Sequence, residues 1–374
     1  MVTVARPVAL DARMISHSGI GSYIRGLLEG LREIAPGFSL TLLGDPATLA
    51  SWLPDVARCR IVPFRSPVYG LREQLMFPAQ KVRGALLHCP HYNIALRHKG
   101  PLIVTIHDLI HLHEQWGLRS TTGRSYARFM LQAATRRAIH ILADSAATAD
   151  ELATKLNVEH DRISVVYPAP AAAFYRTRTE HGRVTDFCKE HGLPPEYLLT
   201  VGLYKPHKNL NIVFDALKAL WAGGITALPL VMAGMQMKEQ KLVRERLEKL
   251  AISDRVIVLN WLEADKMPLL YRGARLLVHP SLAEGFGLPI VEAQAVGTPV
   301  VASRIAAATE VAGNGAAFFD PRDAADLADR IAEVIHRELF RIRLVAAGRR
   351  NAERFSWRQS AEKALEIYQR VAAS

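Results

Sequence analysis

Cysteine is scarce in this sequence, and long apolar runs are absent. Its three cysteines, Cys59, Cys89 and Cys188, lie far apart in the 374 residues and form no Cys-x-x-Cys pair. This spacing excludes a disulfide framework and the usual thiolate zinc sites, and it suits a reducing compartment. No apolar run approaches the roughly 18 residues that a membrane-spanning helix needs. The first residues already include Asp11 and lack the apolar stretch of a secretory signal, so we expect a cytoplasmic protein.

The composition also excludes a disordered chain. Hydrophobic residues make up 49% of the sequence and charged residues 22%, as in folded globular proteins. The length of 374 residues is enough for about two domains of ordinary size. The net charge of +11 is compatible with nucleic acid, an anionic membrane face, phosphorylated substrates or simply a solvated surface. No zinc finger, RNA-recognition signature or basic-aromatic stripe is present, so we expect no nucleic-acid partner.

Short apolar runs alternate with helical patterns along the whole chain. Alternation of this kind predicts parallel sheets covered by helices on both faces. Two series of runs predict two doubly wound α/β domains. In the first half the strand candidates are Val8–Asp11, Leu40–Leu43, Ile61–Phe64, Leu86–Cys89, Leu102–His107, Ile139–Asp144 and Ser164–Tyr167. In the second half they are Leu198–Gly202, Leu228–Ala233, Val256–Leu259, Leu276–His279, Val300–Ala302 and Ala316–Phe319.

The boundary between the two domains is predicted within Pro168–Arg183, which is rich in proline and small residues and has no apolar period. We assign residues 1–176 to the first domain and 177–356 to the second. An amphipathic helix is predicted over Ser356–Ala372, and either domain could accept its apolar face; residues 357–374 are therefore a candidate to pack back on the first domain.

The segment His279–Ser303 contains the strongest chemical signal. A strand ends at His279, a polar turn with Glu284, Gly285, Phe286 and Gly287 follows, and Pro289 suits the first turn of a helix. Glycine amides before a helix N-terminus form a site for a phosphate-sized anion. Glu284 and Glu292 would repel phosphate but can accept hydrogen bonds from hydroxyls, and a nucleotide-sugar offers both groups. The alternative is an acidic residue at a helix start and an ordinary surface glutamate.

The run EGFGLPIVE resembles the E-x7-E motif of the retaining glycosyltransferases of family 4, which have the GT-B fold. The resemblance extends to SGIGSYIRGL (Ser18–Leu27), VTIHDL (Val104–Leu109), VGLYKPHKNL (Val201–Leu210) and the terminal FSWRQSAEKALEIYQRV. It is closest to bacterial mannosyltransferase-like and rhamnosyltransferase-like enzymes. It implies two Rossmann-like domains facing across a cleft, an acceptor-side first domain and a nucleotide-sugar donor domain.

The resemblance also implies roles for individual residues. Glu284 would contact the donor sugar, helped by the backbone amides of Gly285, Phe286, Gly287 and Leu288. Glu292 would bind the ribose, and Lys208 would neutralise the diphosphate. His107, at the end of a strand, would contact the donor sugar or the reaction centre, so that His107, Glu284 and Lys208 form the predicted catalytic set.

Gly19 and Gly21 lie between the first strand and a helix predicted to start near Ser22. By resemblance this glycine turn faces the diphosphate and acceptor. The alternative is a tight connection between a strand and a helix, because position 24 is isoleucine and the G-x-G-x-x-G fingerprint is incomplete.

The expected reaction moves a hexose, with mannose from GDP-mannose as the first choice, to a hydroxyl of a glycan or lipid-linked acceptor. The resemblance implies no cofactor and no divalent metal. One departure stands out: many relatives carry arginine where this chain has Leu203, and Lys205 or His207 are the candidates to supply that charge. The alternatives are a non-catalytic nucleotide-sugar-binding subunit and a GT-B-fold epimerase.

A group of arginines in the first half adds an expectation about location. The group comprises Arg119, Arg124, Arg128, Arg136 and Arg137. Related enzymes often use lipid-linked acceptors at the inner face of the membrane, so peripheral contact with anionic lipid is one interpretation. A solvated helix face is the other.

Overall fold

Two parallel sheets organise the chain, one in each of two units. The computed structural model describes residues 5–53, 59–113, 120–176, 181–260 and 262–373. The first unit consists of residues 1–169 and 355–374, and the second of residues 170–354. Both sheets are parallel and carry helices, which confirms the predicted α/β fold class with two Rossmann-like domains.

The first sheet has seven described strands in the order β3-β2-β1-β4-β5-β6-β7. Neighbouring strands pair in parallel, and their side chains form a continuous apolar core. The strands are β1 (Val8–Asp11), β2 (Leu40–Gly44), β3 (Arg60–Pro63), β4 (Leu86–Cys89), β5 (Leu102–Ile106), β6 (His140–Ala143) and β7 (Ile163–Val165). The helices are α1 (Gly19–Ile34), α2 (Pro46–Trp52), α3 (Leu71–Met76), α4 (Thr121–Arg137) and α5 (Ala146–Leu156).

The last helix of the chain, α15 (Trp357–Ala373), packs on α1 in the first unit. Gly26 and Gly30 make this possible, because a Cβ at either position would collide with Trp357. The hydroxyl of Tyr368 is hydrogen-bonded to His88 Nδ1 at 2.7 Å, deep in the sheet. Burial lowers the pKa of His88 to about 3, so the ring is neutral and the contact is a hydrogen bond between uncharged groups.

The second sheet has six described strands in the order β10-β9-β8-β11-β12-β13. It also pairs in parallel throughout and has its own apolar core. Its strands are β8 (Tyr197–Val201), β9 (Leu230–Ala233), β10 (Val256–Val258), β11 (Ala274–His279), β12 (Val300–Ser303) and β13 (Ala317–Phe319). Its helices are α6 (Ala172–Arg176), α7 (His181–Glu190), α8 (Leu210–Ala222), α9 (Met237–Leu250), α10 (Met267–Gly273), α11 (Leu288–Val296), α12 (Ala306–Ala312), α13 (Ala324–His336) and α14 (Glu338–Ala352).

Two local expectations were wrong. The boundary segment Pro168–Arg183, in which no apolar period was recognised, contains helix α6, and its Phe174 is buried against the ring of Tyr271 with 5.6 Å between ring centroids. Helix α1 begins at Gly19 rather than near Ser22. Glycine is unfavourable inside a helix, which is why the start was predicted after Gly21. The helix nevertheless includes Gly21 because the chain passes close to it, and a Cβ there would collide with the carbonyl oxygen of Ile15.

Candidate functional site

The candidate site lies at the carboxyl ends of β8 and β11. The strand order reverses between these neighbours, and open parallel sheets bind ligands at such a switch point. A short turn over Pro206–Lys208 follows β8, and a loop over residues 280–287 follows β11. The amide of Leu282 donates a 2.7 Å hydrogen bond to the carbonyl of His207. The two loops are therefore joined directly.

Glycines shape both loops. Gly202 follows β8 with φ +146°, and Gly287 caps helix α11 with φ +96°. Side chains are disfavoured in these conformations. Pro289 lies in the first turn of α11, as predicted, where its missing N–H costs no helical hydrogen bond. The helix N-terminus thus lies behind Gly285, Phe286 and Gly287 and presents the positive end of its dipole.

Lys208 and Glu284, one from each loop, form an ion pair. Lys208 Nζ lies 2.6 Å from Glu284 Oε1, and both side chains are largely shielded, with exposed fractions of 21% and 10%. The Ser281 hydroxyl donates to the same oxygen at 2.6 Å, and His279 Nε2 lies 3.3 Å from it. Three groups therefore fix the position of one carboxylate oxygen at the edge of the sheet.

This environment keeps Glu284 ionised. Burial disfavours the carboxylate, but the charges and hydrogen bonds of Lys208 and His279 outweigh that effect and hold the pKa of Glu284 well below its ordinary value. Glu284 in turn holds the Lys208 ammonium group in place. The pair presents a fixed acceptor, which can bind hydroxyl groups, next to a fixed cation, which can bind phosphate.

Glu292 lies on helix α11, one turn beyond its start. The Tyr271 hydroxyl donates a 2.6 Å hydrogen bond to Glu292 Oε2. Burial raises the pKa of Glu292 to about 7, and the hydrogen bond from Tyr271 offsets only part of that rise. This carboxyl group therefore changes charge near neutral pH, unlike Glu284.

The structure gives Lys205 a different role from the one considered in the sequence. Lys205 Nζ pairs with Glu239 Oε1 at 3.2 Å. Glu239 also accepts a hydrogen bond from the amide of Gln236 at the start of α9. The lysine is thus directed toward a helix cap, which argues against it as the substitute for the arginine missing at Leu203.

His107 belongs to the first unit, directly after β5. Its Nδ1 lies 2.7 Å from Asp144 Oδ2, and its Nε2 lies 2.9 Å from the carbonyl oxygen of Pro90. Burial disfavours the charged ring, but the charge of Asp144 and these hydrogen bonds leave the pKa of His107 raised. Both ring nitrogens therefore face oxygen atoms, and the ring is protonated more readily than an ordinary histidine. Its predicted contact with a donor sugar stays a prediction.

Gly19 and Gly21 also lie in the first unit, within the first turn of α1 rather than in a loop before it. A Cβ at Gly19 would meet no atom within 4 Å. Only Gly21 is therefore required by local packing. Their predicted role at the diphosphate stays a prediction.

A cavity of about 310 Å³ also opens in the first unit. Its lining includes Arg13, His17, Asp45 and Arg65. Arg13 is held by Asp11 at 2.6 Å and Glu73 at 2.9 Å, both nearly inaccessible to solvent. The cavity thus combines fixed charges with hydrogen-bonding groups.

Sequence reasoning did not assign a role to Ser281, Tyr271 or Asp144. Ser281 could have been found, since it lies three residues before Glu284 in the same loop. Tyr271 and Asp144 come from α10 and the end of β6, distant in sequence from their partners. No motif in the sequence connects them.

Comparison with known proteins relates both units to glycosyltransferase families. Residues 17–169 match the model for Glycosyltransferase Family 4, and residues 186–351 match the model for Glycosyl transferases group 1. Together these two glycosyltransferase models match most of the chain, in agreement with the family that its E-x7-E motif resembles.

Curated relatives are 30% identical to the chain over the aligned part of their sequences. It is 30% identical over 220 residues to the O-antigen chain mannosyltransferase RfbU of Salmonella typhimurium, covering 59% of this chain and 57% of the relative. It is also 30% identical over 243 residues to the serotype-specific mannosyltransferase WbdA of Escherichia coli, covering 64% of this chain and 29% of the relative. The chain thus spans little more than half of the length of the first relative and less than a third of the second.

Solved structures share the fold over nearly the whole chain. A sucrose-phosphate synthase from Thermosynechococcus elongatus has a TM-score of 0.79 at 20% identity, covering 99% of this chain and 100% of that one. HepE of Anabaena in complex with UDP-glucose has a TM-score of 0.78 at 18% identity, covering 97% and 99%. At these identities the likeness shows the fold alone.

Proposed function

We propose that the protein is a retaining mannosyltransferase that moves mannose from GDP-mannose to a hydroxyl of a glycan or lipid-linked acceptor. The observation that carries this proposal is the Lys208–Glu284 pair beside the N-terminus of α11, with Glu292 on the following turn. This arrangement offers one cation, a helix dipole and two carboxyl groups of different acidity.

Each part of the site suits one part of a nucleotide-sugar. Lys208 and the helix N-terminus stabilise the negative charge that develops on the departing diphosphate. Glu284, ionised and fixed by Ser281, accepts hydrogen bonds from the hydroxyls of the sugar. Glu292 accepts hydrogen bonds from the ribose.

The proposed reaction proceeds on one face of the sugar. The acceptor oxygen forms a bond to the anomeric carbon on the face from which the diphosphate leaves, and the bond to the diphosphate oxygen breaks. The proton of the acceptor hydroxyl passes to the departing phosphate. This course retains the anomeric configuration and requires no protein nucleophile, and Lys208 takes the part that a divalent metal plays in other transferases.

The choice of mannose is supported by the two relatives named as mannosyltransferases at 30% identity. HepE, which was solved in complex with UDP-glucose, shares only the fold with this chain. The base and the sugar of the donor are therefore tested by direct measurement. A rhamnose donor is tested as well, because the sequence also resembles rhamnosyltransferase-like enzymes.

We place the acceptor in the first unit, with the cavity beside Arg13 as its candidate site. His107 is proposed to orient the donor sugar, with its ring held in place by Asp144. The enzyme is proposed to act in the cytoplasm in contact with the inner membrane face, where lipid-linked acceptors lie. No helix in the described part of the chain has the length and hydropathy to span a bilayer.

A donor panel tests the proposal. Purified protein is incubated with GDP-mannose, UDP-glucose and dTDP-rhamnose in the presence of lipid-linked glycan acceptors, and nucleotide release and product are measured. We expect transfer with GDP-mannose, an α-linked product from the α-configured donor, and unchanged rates with EDTA.

Other outcomes contradict the proposal in distinct ways. Nucleotide-sugar binding without turnover indicates a binding subunit. An isomerised sugar formed without acceptor indicates an epimerase. Transfer that stops with EDTA and returns with magnesium contradicts the role given to Lys208.

A further inference from the structure

Helix α3 is inverted relative to an ordinary surface helix: its apolar side chains face solvent, whereas Glu73 and Gln74 face the protein. Leu71, Leu75 and Met76 are 80%, 72% and 52% exposed. Glu73, between them, is only 2% exposed. Surface helices normally bury the apolar stripe, so three exposed apolar side chains within six residues indicate an interaction surface.

Hydrogen bonds fix this orientation. Glu73 accepts from Arg13 at 2.9 Å and from the amide of Tyr69 at 3.1 Å. The Gln74 side chain donates to the carbonyl of Ile94 and accepts from the amide of Leu96, both at 2.9 Å. Turning the helix to bury its leucines would break all four bonds. The exposure of the leucines is therefore built into the fold.

The chain around α3 is strongly basic. Between Tyr69 and Lys99 it contains five cations, Arg72, Lys81, Arg83, Arg97 and Lys99, and one carboxylate, Glu73. Glu73 is buried in its pair with Arg13. None of the five cations forms an ion pair with another residue in the described ranges, and Arg97 donates to the carbonyl of Leu75 at the end of the helix.

We propose that α3 and its flanking cations form a docking surface for anionic lipid bilayers. Apolar side chains beside lysine and arginine suit the interface of such a bilayer, where the leucines enter the acyl boundary and the cations meet phosphate head groups. A second copy of the chain is disfavoured, because two such surfaces would bring unpaired positive charges together. This surface contrasts with α4, whose Arg137 is turned inward to the carbonyls of Leu96 and His98.

The surface continues into the candidate acceptor cavity. Residues 64–68 line that cavity and lead directly to Tyr69 and α3. Docking through α3 would therefore bring the cavity close to the bilayer, where a lipid-linked acceptor is anchored. This consequence rests on the proposed function, whereas vesicle binding is measured without donor or acceptor, so the two can fail separately.

Vesicle sedimentation tests the proposal. Full-length protein is mixed with vesicles of phosphatidylcholine alone or with about 30% phosphatidylglycerol, whose negative surface potential attracts basic segments. We expect at least tenfold stronger binding to the anionic vesicles. The double variant Leu71→Ser/Leu75→Ser should lose at least tenfold of that binding, because leucine insertion supplies much of the affinity. The variant Arg72→Glu/Lys81→Glu should lose about fivefold or more per charge.

Matched controls come from the second unit. Met237 and Leu339 are 87% and 73% exposed, so Met237→Ser/Leu339→Ser removes similar apolar surface elsewhere. Lys218→Glu/Lys241→Glu makes the same charge change at exposed positions. Both controls should bind vesicles within twofold of the parent protein, and thermal unfolding checks that each variant is folded.

Two results would overturn the proposal. The first is vesicle binding by Leu71→Ser/Leu75→Ser that equals binding by the parent. The second is a change in sedimentation coefficient without lipid in this variant alone, with vesicle binding unaffected; the surface would then be a protein–protein contact.

Discussion

Lys208 Nζ lies 2.6 Å from Glu284 Oε1, although the two residues are 76 positions apart in the chain. Strand order brings them together, because β8 and β11 are neighbours and both loops leave the same edge of the sheet. A fixed cation and a fixed carboxylate at this edge are the physical basis of the proposed transfer reaction. Each can be removed separately.

Replacing Lys208 with methionine should affect both activity and stability. Loss of the cation should lower kcat by roughly 10²–10³-fold, the range measured for single electrostatic groups in active sites. Loss of its partner leaves the shielded Glu284 charge unpaired, so the free energy of unfolding at pH 7 should fall by about 1–3 kcal/mol. Adding Glu284→Gln should restore part of the stability but none of the activity. Urea denaturation and nucleotide-release assays measure the two effects, and additive stability losses would contradict the pairing.

Glu292→Gln should stabilise the protein at alkaline pH. The folded-state pKa of Glu292 is about 7, above the ordinary value of 4.5. The unfolded chain therefore loses this proton first, and the stability of the parent falls as pH rises from about 4.5 to 7 and stays lower above it. Glutamine keeps the acceptor for Tyr271 without the charge. We expect up to about 3 kcal/mol of stabilisation at pH 8 and almost none at pH 4.

The affinity for nucleotide should rise with pH because of Glu292, whereas the stability of the protein falls. Ionised Glu292 is the better acceptor for ribose hydroxyls, so the affinity of the parent for GDP should rise between pH 6 and 8. In Glu292→Gln the affinity should be lower and this rise should disappear, apart from the titration of the phosphate itself. Calorimetry of both proteins across this range makes the comparison, and parallel curves would exclude a ribose contact.

Gly287→Ala should weaken the start of α11. The position has φ +96°, and a Cβ there would lie 3.3 Å from Ile290 Cδ1. Left-handed backbone costs a non-glycine residue about 1–2 kcal/mol, so we expect that loss in the free energy of unfolding and weaker GDP binding. Gly37→Ala is the control, because no atom lies within 4 Å of its added Cβ. Equal stability of the two variants would show that the cap is not strained.

His107→Gln should destabilise the protein mainly below neutral pH. The folded-state pKa of His107 is raised, so its interaction with Asp144 contributes fully below the unfolded value of about 6.5 and is lost as pH rises through the folded pKa. We expect a loss of roughly 1–3 kcal/mol at pH 6 and a smaller one at pH 9. Asp144→Asn should reproduce this profile. A pH-independent loss would mean that the ring is neutral.

The architecture could be predicted from the sequence because strand–helix alternation has few stable solutions. Every predicted strand is present, with ends shifted by up to two residues, and the switch point follows from strand order. Lys208, Glu284 and the loop glycines were recognisable because they belong to short contiguous motifs. Glu292 was recognisable from its fixed spacing to Glu284.

The contacts that shift the pKa values of Glu292 and His107 could not be predicted from the sequence. Tyr271 reaches Glu292 from another helix, and Asp144 reaches His107 from another strand. The docking of α15 depends on Gly26 and Gly30, which look like ordinary helix positions until Trp357 is placed against them. The inverted orientation of α3 follows from the buried partners of Glu73. Each of these features depends on tertiary packing, which a single sequence does not encode locally.

Calorimetric titration of GDP into the parent protein, Lys208→Ala and Glu292→Ala at pH 8 tests the central claim most directly. We expect both variants to bind at least tenfold more weakly than the parent, since each loses a different contact to the same molecule, and Lys218→Ala to bind like the parent. Unchanged affinity in both Lys208→Ala and Glu292→Ala would contradict the assignment of this loop pair as the nucleotide site.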